Sequence, residues 1–193
     1  MRTKTSIQIL KLTYAAVCMA LCMVLPTVTG GIPAVGKFLC PMHLPVLLCG
    51  ILCGPFWGFA VGVTAPLLRF FIFGAPELVP RGIGMMAELA FYGLVAGLLF
   101  TLLCKKEDVL FRGKSKRFIA AIYVSLLVAM VAGRLAGGAM KVVLLAFGTI
   151  PTYAFSTFMT AYFVETWAGV IAQLILIPAI VIALRKAKLL PVR

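Results

Sequence analysis

The chain has 193 residues, 63% of them hydrophobic and 12% charged, and a formal net charge of +13. Soluble domains are about 45–50% apolar. Here the apolar runs recur along the whole length, which excludes a soluble domain and also a soluble chain led by one signal segment. The composition reads as an all-α integral membrane protein, a single membrane domain over residues 1–193 with six transmembrane helices.

A spanning helix takes about 20 apolar residues, and fewer when it is buried or kinked. The first span is expected at about residues 7–26, followed by the Gly/Pro-rich loop "TVTGGIPAVGK". The second, short, covers about residues 39–54, and "GPFWG" reads as a tight turn into the third at about 56–73. The loop "GAPELVPRG" leads to the fourth span at about 82–103. After the charged stretch "CKKEDVLFRGKSKRF" the fifth covers about 118–147, long enough for tilt or an irregular outer end. "GTIPTY" breaks the pattern, and the sixth covers about 158–184.

Of the 18 basic residues, 13 fall in three clusters: Arg2, Lys4 and Lys11; the stretch between spans four and five; and Arg185, Lys186, Lys188 and Arg193. Six spans place both termini and the loop after span four on one side. All three clusters then face the cytoplasm, as the positive-inside rule requires, and the reading is N and C termini cytoplasmic. Clusters that flank spans are topology signals, so the charge does not point to nucleic acid.

Charges at membrane depth are costly and face a cavity or a partner. The candidates are His43, Arg69, Glu88, Arg134, Lys141 and Glu165. With the termini inside, all six fall in the outer half or near the midplane, which points to a polar pocket open to the outside. Arg134, Gly138 and Lys141 share a face of span five, and its cations can pair with Glu88 and Glu165. Such pairs either fix helix register or orient a polar ligand, and the two roles are compatible.

The six cysteines lie almost entirely inside apolar runs, with Cys18/Cys22 and Cys49/Cys53 as i, i+4 pairs, and read as small buried hydrophobes. One histidine is too few for a zinc cage, so neither a metal nor another cofactor is expected. His43, in "LCPMHLPVLLCGILCGPFWG", is expected to stand without a carboxylate or Cys partner nearby, which does not point to a metal or a catalytic base; Pro41 and Pro45 suit a helix start there. Small residues spaced four apart permit close helix contacts: Ala16 and Ala20 in span one, Gly50 and Gly54 in span two, Gly58 and Gly62 in span three, Gly133 and Gly137 in span five. An intramembrane enzyme would need a convergent nucleophile and base or several metal ligands, and no HExxH motif is present. No catalytic residue is assigned. A stand-alone secondary transporter often shows an internal repeat, and none is clear here. A purely structural membrane subunit would bind no small ligand. No nucleotide-binding loop appears, so any ATP hydrolysis belongs to a partner.

Four stretches, "YAAVCMALCMVL", "PMHLPVLLCGILCGPFWGFAVGVTAPLLRF", "MMAELAFYGLVAGLL" and "FVETWAGVIAQLILIPAIVIAL", make the chain resemble the substrate-binding (S) components of energy-coupling factor (ECF) vitamin transporters. The resemblance covers most of the chain. It implies a multi-pass protein of the bacterial plasma membrane that binds a vitamin or precursor in an outward pocket and has no ATPase activity. Its partners would be a transmembrane coupling subunit carrying two cytoplasmic ATPases, and the lipid bilayer around them. Ala16 and Ala20 would lie on the docking surface. The pocket would draw on spans four to six, with Glu88, Tyr92, Arg134, Lys141, Glu165 and His43 as candidate substrate-binding residues. A small carboxylate such as pantothenate suits Arg134 and Lys141; cobalamin- or queuosine-related compounds are the alternatives within the subgroup.

Overall fold

The computed structural model describes residues 4–29, 41–104, 115–148, 160, 166–187 and 189–190. In a bilayer every backbone N–H and C=O must be satisfied within the protein, so apolar runs of this kind fold as helices. Among the described residues there are six: α1 (Lys4–Thr29), α2 (His43–Cys53), α3 (Pro55–Phe73), α4 (Ile83–Leu103), α5 (Ser115–Ala146) and α6 (Trp167–Lys186). A single π turn, Leu78–Gly82, leads into α4. Among the described residues five helical segments are long and apolar enough to cross a membrane; α2 is the shorter apolar one.

The boundaries depart from expectation in ways with physical causes. Helix α1 runs on through Pro26 to Thr29. Thr27 Oγ1 donates to the Val24 carbonyl (2.6 Å) and Thr29 Oγ1 to the Leu25 carbonyl (2.9 Å), so hydroxyls satisfy carbonyls in the last turn. The turn between α2 and α3 is not the whole of "GPFWG": Gly54 alone makes it, at φ +98°, and Pro55 already begins α3. Helix α6 is described from Trp167, and most of the expected start of that span lies outside the described residues.

At about 1.5 Å per residue, α2 is only about 16 Å long, well short of the roughly 30 Å hydrocarbon core. It has no need to span alone, because every residue from Pro45 to Cys53 is buried among its neighbours. Helix α4 is the hub and packs on α2, α3 and α5. The contact there is backbone on backbone. A Cβ on Gly58 would lie 2.5 Å from the Gly93 carbonyl oxygen, one on Gly97 would lie 2.6 Å from Pro55 N, and one on Gly93 would run into Gly58. Cys18 and Cys22 of α1 are buried, as are Cys49 and Cys53 of α2, where α1 and α2 pack. At the C-cap of α4, burial pushes the Cys104 thiol up to about 11, against the opposing pull of Arg185. Large apolar side chains such as Val17, Phe56, Phe71, Val131 and Ile175 point outward, as expected of surfaces that meet lipid.

Contacts at the helix ends sort the bundle. Tyr14 Oη donates to the Leu189 carbonyl (3.0 Å), Cys53 Sγ to the Lys11 carbonyl (3.3 Å), and Arg185 stacks over Phe118 at 4.2 Å. These tie the start of α1, the end of α2, the start of α5 and the end of α6 into one end, here called the terminal end. At the opposite end Cys22 Sγ donates to the Met42 carbonyl (3.8 Å), and Arg69 Nη1 donates to that of Met23 (3.1 Å).

Candidate functional site

The helix ends opposite the termini bring together residues from α2, α4, α5 and α6. Glu88, one turn and a half into α4, is 7% exposed inside an otherwise apolar bundle. A carboxylate so placed demands donors, and two reach it. His43 Nε2, from the first turn of α2, lies 3.3 Å from Glu88 Oε1. Tyr92 Oη, one turn further along α4, donates to the same oxygen at 3.1 Å. The His43 and Tyr92 rings meet edge to face at 5.1 Å, so the three side chains fix one another. The other ring nitrogen of His43, Nδ1, is buried without a hydrogen-bond partner.

Helix α5 supplies two cations. Arg134 Nη2 donates to Thr166 Oγ1 at 2.9 Å, and its guanidinium also reaches the Tyr92 hydroxyl. The stem of Lys141 crosses Gly84 of α4, with Cε 3.6 Å from where a Cβ would stand, and its ammonium lies within the field of Glu88. Gly133 makes room for Tyr92: a Cβ there would strike the ring. Helix α6 closes the far wall with buried Gln173, 4% exposed. His43, Glu88, Tyr92, Arg134, Thr166 and Gln173 surround a cavity of about 10 Å³, room for about one water.

Four of the expected site residues, His43, Glu88, Tyr92 and Arg134, thus line one cavity, and Lys141 stands beside it. Glu165 lies outside the described residues. The expectation that His43 has no carboxylate near it is corrected: its partner is Glu88, remote in sequence and brought in from another helix. Thr166 and Gln173 are wall residues that the sequence does not single out. Both are uncharged, and a neutral polar group in an apolar run gives a weaker depth signal than a charge. Among the described residues, no three His, Cys, Asp or Glu side chains gather as a metal cage. Ala16 and Ala20 are exposed on α1, on the side away from buried Ala15, Cys18 and Cys22.

The described residues thus form a bundle of apolar, membrane-length helices with a small polar cavity walled by ionisable side chains. The family model for the ECF transporter substrate-specific component matches residues 10–187. The chain therefore belongs to that family, one of transporter subunits rather than enzymes, whose members bind a small-molecule substrate and pair with an ECF module. No curated protein and no solved structure matches the chain.

Proposed function

We propose that this chain is the high-affinity capture subunit of an ATP-driven importer for a vitamin or vitamin precursor. In this reading it sits in a bacterial plasma membrane with its termini in the cytoplasm. The terminal end carries the described basic residues Lys11, Lys116, Arg117, Arg185 and Lys186, which supports that orientation. The polar cavity then lies toward the outside. A transmembrane coupling subunit and two cytoplasmic ATPases supply the energy, since the chain has no nucleotide loop of its own. Ala16 and Ala20 offer the coupling subunit a thin exposed face on α1.

The observation that carries the reading is Glu88: a buried carboxylate held by His43 and Tyr92, with Arg134 and Lys141 beside it. Among the described residues at this site, positive groups outnumber the one carboxylate, which favours an anionic solute. A small carboxylate such as pantothenate matches: its acid group suits Arg134 and Lys141, and its hydroxyls suit Glu88 and Gln173. The tight packing favours such a body over one the size of cobalamin. At about 10 Å³ the cavity admits no vitamin-sized molecule, so binding requires the network to part.

The test is a thermal-shift panel of vitamins and precursors on the detergent-purified chain, pantothenate included. One compound class should stabilise the protein, and Arg134→Ala and Lys141→Ala should each weaken that response. Intact binding in both variants would remove these two residues from the site.

A further inference from the structure

A second cavity, of about 310 Å³, opens at the same end of the bundle but between different helices. Pro26 and Thr29 of α1, Met42 and His43 of α2, Arg69 of α3 and Met85 of α4 are in its wall. It is large enough for a small organic molecule, and its lining is apolar apart from Thr29, His43 and Arg69.

Arg69 is held ready in that wall. One of its five N–H donors goes to the Met23 carbonyl at 3.1 Å, and the guanidinium stacks on Phe73 at 5.2 Å. These contacts fix its plane without neutralising it. Among the described residues no carboxylate pairs with it: Glu88 is engaged with His43 and Tyr92, and Glu77, which follows Pro76 of the cavity wall, is exposed and makes no ion pair with it. A guanidinium keeps its charge at any physiological pH, and a cation beside an apolar cavity favours an anion. One further feature of the same cavity acts in the same sense. Helix α2 begins there, at Met42 and His43, with no side-chain cap, so donors of its first turn and the positive end of its dipole lie at the wall.

We infer that the Arg69 cavity is a second binding site, for the carboxylate or phosphate of a small molecule or lipid whose apolar part fills the space under Met85 and Pro26. It is separate from the Glu88 cluster, with which it shares only the His43 ring as a wall. The fork of Arg69 grips the anion, and the first turn of α2 completes the contact.

The experiment uses the full chain purified in dodecylmaltoside and two probes: pantothenate, and a short-chain phosphatidylglycerol. Affinities are read by isothermal titration and stoichiometry by native mass spectrometry. Wild type should bind at least one probe, and Arg69→Gln should weaken that binding tenfold or more, with Arg69→Lys in between. Met85→Trp, which fills the cavity and leaves Arg69 in place, should weaken it as well, and covers the case in which Arg69→Gln does not fold. Loss confined to pantothenate would make the anion part of the transported solute. Loss confined to phosphatidylglycerol would make it a lipid headgroup and leave the transport reading untouched. Binding of neither probe to wild type, or equal binding by wild type and the folded variants, would overturn the inference.

Discussion

Two faces of α4 lie side by side and do opposite things. Leu89, Gly93 and Gly97 follow one row along the helix, and Glu88 and Tyr92 follow the next. On the first row Gly93 and Gly97 carry no side chain, and α2 and α3 come in until backbone meets backbone at Gly50 and Gly58. On the second row the side chains are polar and buried, and His43 and Arg134 converge on them. Without lipid-driven exclusion to press helices together, close packing is what holds them, so the glycine row fixes the frame. The polar row can then carry charge in a place fixed to within a side chain's length. Glu88 and Gly93 are about 8 Å apart along the axis, so the frame lies close to the groups it positions.

Substitutions on the two rows should separate these roles. The largest effect is expected from Gly93→Leu, because even a Cβ has no room against Gly58. Overpacking costs about 1–3 kcal/mol where side chains can yield, and here the neighbour is backbone. The variant should give no monodisperse peak in size-exclusion chromatography, whatever ligand is added. Glu88→Ala should come next. It strips His43 and Tyr92 of their shared acceptor, at a cost of about 1–3 kcal/mol in stability, and should reduce ligand affinity by more than about tenfold. The protein should still elute as a folded species.

Arg134→Ala and Lys141→Ala should each weaken a carboxylate ligand by about tenfold with a smaller change in melting temperature. Gly133→Ala probes the join between the rows, since its methyl group would push the Tyr92 ring aside. Affinity should fall by a few fold, and a Gly133→Ala/Tyr92→Phe double variant should show non-additive loss. The smallest effect on the isolated chain is expected from Ala16→Trp or Ala20→Trp, within about 0.5 kcal/mol, because both positions are exposed. Pull-down with the coupling subunit should nonetheless fail if α1 is the docking face.

The helices were legible because apolar runs of this length have few other ways to satisfy their backbone. The gathering of His43, Glu88, Arg134 and Lys141 at one end followed from counting spans, since depth along a helix is set by residue number. Which residue faces which was not legible, because rotation about each axis depends on neighbours the sequence does not order. Glu88 was expected to pair with the cations of α5. Its direct partners include His43, which sequence distance had made look isolated. The Gly93/Gly97 spacing stood in plain view in "GLVAG", but only the structure shows that it meets Gly58 and Pro55 rather than lipid. The Arg69 cavity left no sequence signal beyond one arginine near a helix end, where reaching for the interface is the ordinary expectation.

The most direct test of the Glu88 cluster as a substrate site is native mass spectrometry on the detergent-purified chain, wild type beside Glu88→Gln, with the same panel of vitamins and precursors. Wild type should hold one compound class at one-to-one stoichiometry, and Glu88→Gln, which keeps the shape but not the charge, should lose it. The site would be contradicted by Glu88→Gln holding the same compound as well as wild type does. The transport reading as a whole would be contradicted by a wild-type chain that binds nothing in the panel yet moves solute across liposomes without any ATPase.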